Sequence, residues 1–185
     1  MDPLYDDPVM AALIEEHGEL TVEPAEDMFR RMTVSIINQQ LSSASAAAIR
    51  DRVFDRFEVT PDALLAADAD ELQDLGLSRQ KIEYIRNIAE AYTERGYSVA
   101  YFEDMSDEAV IEELTGIKGV GVWTAKMALM FVLGRKDVFP VEDLGIRRGM
   151  ETAYGIDDRD AMEKKATDWA PYRSYASRYL WRVHD

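Results

Sequence analysis

The sequence predicts an all-α protein, on three observations. Apolar residues recur at spacings of three and four, as on one face of a helix. No stretch alternates apolar and polar residues as a half-buried strand does. The periodic runs are bounded by Ser, Thr or Asp at their starts and by Gly at their ends, the ordinary helix stop and start signals. The chain has 185 residues, of which 47% are hydrophobic, enough for one compact unit or two small lobes. No apolar run approaches the roughly 18–20 residues of a membrane span. The acidic start, Met1-Asp-Pro-Leu-Tyr-Asp-Asp, lacks a basic n-region and an apolar h-region. A cytoplasmic protein without membrane attachment is expected.

Residues 9–17 have helical spacing and stop at Gly18. Pro24 fits the first turn of a longer helix with Met28, Met32, Ile36 and Ile37 on one face. That helix ends in the polar stretch Ser35-Ile-Ile-Asn-Gln-Gln-Leu-Ser-Ser43, and an amphipathic helix over 44–57, capped by Ser42 or Ser43, follows. Thr60-Pro-Asp opens the next, with Leu64, Leu65 and Leu72 inward. Ser78 caps a helix whose core stripe is Ile82, Ile85 and Ile88; Arg79 and Lys81 read as solvated first-turn charges, with contact to a phosphate the alternative. Gly96 breaks the chain, residues 97–102 are too mixed to classify, and Ser106 caps a run to Leu114. The run Trp123–Leu133 is apolar on nearly all sides, so that helix is expected to be buried. Helices over 141–154 (after Pro140), 160–170 and 171–182 complete the chain.

The stretch Leu114-Thr-Gly-Ile-Lys-Gly-Val-Gly-Val-Trp-Thr-Ala-Lys126 stands apart, because Gly116, Gly119 and Gly121 fall within six positions between two helices. Glycine suits positive φ and close backbone approach. A helix opened by glycines presents bare N–H groups and its positive dipole end to a phosphate oxygen. The arrangement therefore suits gripping a nucleic-acid backbone without reading sequence. A plain helix–helix turn with no ligand is the alternative.

Leu114–Ala125, with Asp137-Val-Phe-Pro-Val-Glu-Asp-Leu-Gly-Ile-Arg-Arg-Gly149 downstream, resembles the helix-hairpin-helix (HhH-GPD) DNA glycosylase superfamily. The resemblance runs from about Phe29 to Trp181 and is greatest to the 3-methyladenine DNA glycosylase II branch. It implies a two-lobed helix-hairpin-helix glycosylase fold with the active-site cleft between the lobes. The expected division is 1–32 and 132–185 in one lobe and 33–131, with the hairpin, in the other. It implies excision of alkylated purines from damaged double-stranded DNA in base excision repair. Asp143 matches the catalytic aspartate, with Glu142 its neighbour and rival. Trp123 and Trp181 match pocket aromatics, although either can simply be core. Met127 and Leu144 stand at pocket positions where relatives carry larger rings. Gly116, Lys118, Gly119, Gly121 and Thr124 of the hairpin, with Gln39 and Gln40, are the implied DNA contacts. Gln40 is the candidate plug for the hole left by a flipped base, and Asn38 and Gln39 are expected to fix its turn; the alternative is that all three amides only satisfy backbone groups at a buried bend. No cofactor is implied, apart from a monovalent cation (Na+ or K+) on carbonyls around Gly116, Gly119 and Gly121.

Removing a base from deoxyribose passes through a sugar with oxocarbenium character, which a carboxylate stabilises while orienting a water. Asp143, where a loop enters a helix, suits that task, and a simple capping carboxylate is its competing role. Relatives that also cut the backbone carry a Schiff-base lysine where this chain has Trp123, so a monofunctional enzyme is expected. Lys126, about one turn on, reads as a solvent-edge or DNA-facing charge. The alternatives are a bifunctional glycosylase/lyase and a non-catalytic DNA-binding module. Cysteine is absent, which removes disulfides and the iron–sulfur cluster of one branch. His17 and His184, the two histidines, read as surface residues.

Charge argues the other way. Thirty-six acidic against 21 basic residues give a net −15, whereas a DNA-binding domain is expected to be basic. Arginine supplies 15 of the cations and lysine six, and the acids are scattered. That pattern resembles a halophile protein kept soluble in concentrated salt by surface acids. Salt weakens phosphate contacts, so backbone N–H contacts and base insertion should carry more of the binding. Nothing in the sequence suggests other than a monomer.

Overall fold

The computed structural model describes residues 2–184, which contain helices and turns and no strand. In chain order the helices are α1 (Asp2–Tyr5), α2 (Pro8–His17), α3 (Met28–Asn38), α4 (Ser43–Arg56), α5 (Pro61–Ala66), α6 (Ala69–Asp74), α7 (Arg79–Arg95), α8 (Val99–Phe102), α9 (Asp107–Thr115), α10 (Val122–Phe131), α11 (Leu144–Tyr154), α12 (Arg159–Ala166) and α13 (Arg173–Leu180). Short 3-10 turns lie at Thr167–Trp169 and Trp181–His184. Among the described residues, no helix is long and apolar enough to cross a membrane. His17 is half-buried at the end of α2, and the side chain of His184 lies outside the described residues.

Side-chain caps set most of the helix starts, and three of them move a boundary expected from the sequence. Asp27, accepting from the Arg30 N–H at 2.8 Å, opens α3, so Pro24 lies outside the helix. Asp68 accepts from the N–H groups of Asp70 and Glu71, starting a new helix where one continuous helix from Thr60 was expected. Asp143 itself caps α11, leaving Val141 and Glu142 in the preceding loop. An N-cap of this kind is worth about 1 kcal/mol.

The chain divides into two compact units, one made of residues up to Pro24 with those from Leu129, the other Ala25–Ala128. The whole of α3 belongs to the second unit, so the first division falls at Pro24, ahead of the helix, instead of at residue 32 inside it.

In the first unit Leu4, Met10, Ile146, Met150, Trp169, Tyr179 and Leu180 are buried in one core. Polar ties at its heart join the two distant stretches of chain. The Tyr179 hydroxyl donates to the Gly18 carbonyl at 2.9 Å and accepts from the Leu20 N–H at 3.2 Å. Buried Asp7 accepts from the Trp169 indole N–H (3.0 Å), the Tyr154 hydroxyl (3.1 Å) and the Lys165 ammonium (2.8 Å). Burial alone would raise the Asp7 carboxyl, but the Lys165 ammonium, the Trp169 indole N–H and the Met10 N–H outweigh it and hold its pKa down to about 2. Such a group is a structural ion pair: breaking one partner costs far more than the pair contributes against an apolar substitute.

In the second unit α7 packs against α3 and α5. The apolar stripe expected from the sequence, Ile82, Ile85 and Ile88, is buried, as are Phe29, Met32, Ile36 and Ile37 of α3. Phe29 meets Tyr92 edge-on at 5.5 Å between ring centroids. Val110 and Leu114 bury the inner face of α9.

Candidate active site and helical hairpin

In the second unit, α9 ends at Gly116 and α10 starts at Val122, giving the helix–hairpin–helix expected from the glycine spacing. The three glycines are not equivalent. Gly116 ends α9 in right-handed geometry (φ −64°), so it is no left-handed C-cap. Gly119 alone takes a positive φ, +103°, and a β-carbon there would overlap the Tyr84 ring. Gly121 has ordinary φ and open space around the position of a β-carbon. The fold therefore requires glycine at 119 and does not require it at 121.

The hairpin is braced from neighbouring helices of the unit. The Asn87 amide donates to the Lys118 carbonyl at 2.9 Å. Exposed Lys118 pairs with Glu83. The Gln39 side-chain amide donates to both the Gly119 carbonyl (3.2 Å) and the Thr124 hydroxyl (3.0 Å). Gln39 thus spends its donors inside the protein. Thr124, expected as a DNA contact, is 1% exposed, and its hydroxyl is turned to Gln39. Gln40, beside it, is exposed and is the one non-glycine residue with positive φ (+56°) among those described. That conformation costs about 1–2 kcal/mol for an L-residue. Sequence reasoning missed Lys81. It is half-buried, and its ammonium donates to the carbonyls of Ile37 (2.6 Å) and Gln39 (2.8 Å). Burial lowers its pKa.

Among the described residues no group of three or more His, Cys, Asp or Glu is arranged to hold a metal ion. For a monovalent cation, the Gly119 carbonyl already accepts from Gln39 and the Gly121 carbonyl from the Ala125 N–H at 2.9 Å.

Trp123 is half-buried in the first turn of α10, Met127 is buried one turn on, and Lys126 is half-buried.

In the first unit Asp143 caps α11. Its Oδ1 accepts from the Ile146 N–H at 3.0 Å and from the Trp181 indole N–H at 2.8 Å. The capping role expected as the alternative is therefore real, and it orients the carboxylate. Trp181 does more than was expected of a pocket aromatic: its ring lies 5.7 Å from Phe131, tilted by 32°, while its N–H is committed to Asp143. Gly145 makes this possible. A β-carbon there would lie 2.7 Å from Trp181 Cδ1 and 3.0 Å from Asp143 Oδ1. Leu144, next to the aspartate, is 52% exposed. Phe131 and Gly145 were not picked out by sequence reasoning, and only the proximity of Gly145 to Asp143 in the chain could have flagged either.

A helical hairpin braced from α7, together with a capped aspartate on a separate helix, defines a class, and the family comparison agrees. Residues 33–172 match the model of the HhH-GPD superfamily of base excision DNA repair proteins, and the chain belongs to that superfamily. Among individual relatives it is 36% identical to DNA-3-methyladenine glycosylase 1 of Schizosaccharomyces pombe, over 87% of this chain and 72% of that protein. It is 31% identical to the putative DNA-3-methyladenine glycosylase YfjP of Bacillus subtilis, over 94% of this chain and 64% of the relative. The chain thus spans under two thirds of the length of the Bacillus protein. Of solved structures, the S. pombe 3-methyladenine DNA glycosylase Mag1 in complex with abasic DNA superposes with a TM-score of 0.88 at 28% identity, covering 99% of this chain and 96% of that one. A Bacillus halodurans DNA-3-methyladenine glycosidase superposes with a TM-score of 0.80 at 34% identity, covering 98% and 86%.

Proposed function

We propose that the protein is a monofunctional DNA glycosylase acting in base excision repair. It takes an alkylated purine of the 3-methyladenine type out of duplex DNA and hydrolyses its N-glycosidic bond. The observation that carries this reading is the Asp143 carboxylate held at one oxygen by the Ile146 N–H and the Trp181 indole N–H, in a chain whose relatives are named for that activity.

In the reaction the bond between the purine nitrogen and the sugar carbon breaks, and its electron pair leaves with the base. Asp143 stabilises the cationic sugar that develops and orients the water whose oxygen bonds to that carbon as the water releases one proton to solvent. Pre-fixing the carboxylate removes a reorganisation cost from the transition state. An alkylated purine carries positive charge and is drawn to the face of electron-rich rings, the role proposed for Trp181 in the first unit and Trp123 in the second. Trp123 cannot form a Schiff base, so the enzyme leaves an intact strand with an abasic site.

The hairpin is proposed to seat a DNA phosphate at the N-terminus of α10, where the first turn of any helix leaves N–H groups without intrahelical partners. The open space at Gly121 supports close approach of a backbone, and exposed Lys118 of the same hairpin is proposed to exchange its Glu83 partner for a phosphate. A monovalent cation on the hairpin carbonyls belongs to the same proposal. The acidic surface fits work in concentrated salt, where backbone donors outlast lysine–phosphate attraction.

The test is product chemistry on methylated duplex DNA. Strand breaks are expected only after alkali treatment, and borohydride is expected to trap no covalent protein–DNA adduct. Breaks without alkali, or a trapped adduct, would contradict the monofunctional reading.

A further inference from the structure

We propose that Lys81 is a positioning residue for base flipping: its ammonium clamps the turn that presents Gln40, so that the plug side chain is set before DNA arrives. This rests on the glycosylase reading above and adds to it a residue that takes no part in the chemistry.

Gln40 holds a left-handed conformation that non-glycine side chains disfavour, and it does so on an exposed turn. Such a conformation persists only where its surroundings over-determine it. The surroundings are specific. The carbonyls of Ile37 and Gln39, one before the turn and one immediately preceding Gln40, both accept from Lys81 Nζ, at 2.6 and 2.8 Å. Lys81 comes from α7, 44 and 42 residues away in sequence. The Gln39 side chain then ties the same turn to the hairpin through the Gly119 carbonyl and the Thr124 hydroxyl. Plug turn and hairpin are thereby held in one register within the unit.

A solvated lysine would do none of this. Lys81 gives up part of its hydration to reach two neutral carbonyls. A cation at the carbonyl end of α3 also meets the negative end of that helix's dipole. General stabilisation of α3 is therefore the competing account, and the experiment must separate the two. A pre-set plug matters most when the lesion sits in an intact base pair, because the pair and the stack must be broken. It matters least when the lesion is already unpaired.

The experiment measures single-turnover release of a methylated purine from two duplexes, one with the lesion paired and one with it in an unpaired bulge. Lys81→Met is compared with wild type in the native background and in a Gln40→Gly background, where glycine accepts the left-handed turn without strain and offers no plug. The loss of one charge-assisted hydrogen-bond pair predicts about a 10-fold slower release from the paired lesion. On the bulged lesion, or with Gln40→Gly, Lys81→Met is expected to change the rate by less than about twofold. An equal loss on both duplexes, or in both backgrounds, would overturn the proposal in favour of general stabilisation. If Lys81→Met does not fold, Lys81→Gln, which keeps a neutral donor, is measured with the same expectations in direction. If wild type releases no base at all, the glycosylase reading fails by itself. The clamp is then read from hydrogen exchange at the Leu41 N–H, which donates to the Asn38 carbonyl within the turn. Faster exchange at Leu41 in Lys81→Met, with exchange in the middle of α3 unchanged, supports the clamp; equal acceleration at both, or no change at Leu41, rejects it.

Discussion

Replacing Trp181 by Phe probes the carboxylate more sharply than removing the carboxylate itself. The substitution keeps an aromatic ring against Phe131 and deletes only the indole N–H that meets Asp143 Oδ1 at 2.8 Å. A hydrogen bond to a charged group is worth about 1.5–3 kcal/mol when protected from water. Asp143 and Trp181 are half-buried, so screening reduces that figure to about 1–2 kcal/mol. The Ile146 N–H remains, so Asp143 keeps its place as the cap while losing the indole donor. If orientation matters in the transition state, about 1–2 kcal/mol translates into a 5- to 30-fold slower chemical step. The assay is single-turnover base release at saturating enzyme, with DNA affinity measured in parallel. The rate should fall while affinity holds, since the stacking surface is retained. Gly145→Ala should reproduce the loss from the other side, because the new β-carbon would press on Trp181 Cδ1 at 2.7 Å. Alanine is the better helix former, so a fall in rate there reports the displaced ring. Release by Trp181→Phe within about twofold of wild type would refute the view that this hydrogen bond sets up the catalyst.

Two further predictions concern the hairpin and the first unit's core. Gly119→Ala should destabilise the protein measurably in a thermal melt, because φ is +103° and Tyr84 occupies the space; Gly121→Ala should leave the melt unchanged and weaken DNA binding. The converse pattern would mean that glycine serves the fold at 121. Asp7→Asn should cost about 3 kcal/mol at neutral pH by leaving the Lys165 ammonium without its buried partner. The Asp7 pKa is depressed to about 2, so its contribution is complete above the unfolded value near 4 and is lost as pH falls towards 2. Denaturant titrations of the two proteins should therefore converge between about pH 4 and pH 2. A gap that persists at low pH would mean that the charge of Asp7 is not what is lost.

Features set by neighbours in sequence were readable in advance. The cap at Ser78, the stripe Ile82–Ile85–Ile88, the turn at Gly116–Gly121 and the carboxylate at the start of α11 each depend on a few consecutive residues. The misreadings have a common cause. Pro24 looked like a first-turn proline, but Asp27, nearer the helix, offered the better cap. The run from Thr60 looked continuous because its leucines kept helical spacing, yet Asp68 caps a second start inside it. Lys81 looked solvated because nothing within a turn of it accepts its protons; its partners lie 42 and 44 residues away. The same holds for Gln39, whose partners are 80 and 85 residues off, and for Trp181, 38 residues from Asp143. Hydrophobic period and capping chemistry are local quantities. Which polar groups meet across the fold is not.

The central claim is that Asp143 drives hydrolysis of a damaged base from DNA. The direct test is chromatographic detection of free methylated purine released from methylated duplex DNA, at low and at molar salt, by wild type and by Asp143→Asn, with DNA binding followed for both. The account predicts release by wild type at both salt concentrations, none above background by Asp143→Asn, and DNA binding by both. Equal release by the two proteins, or DNA binding without release by wild type, would contradict it.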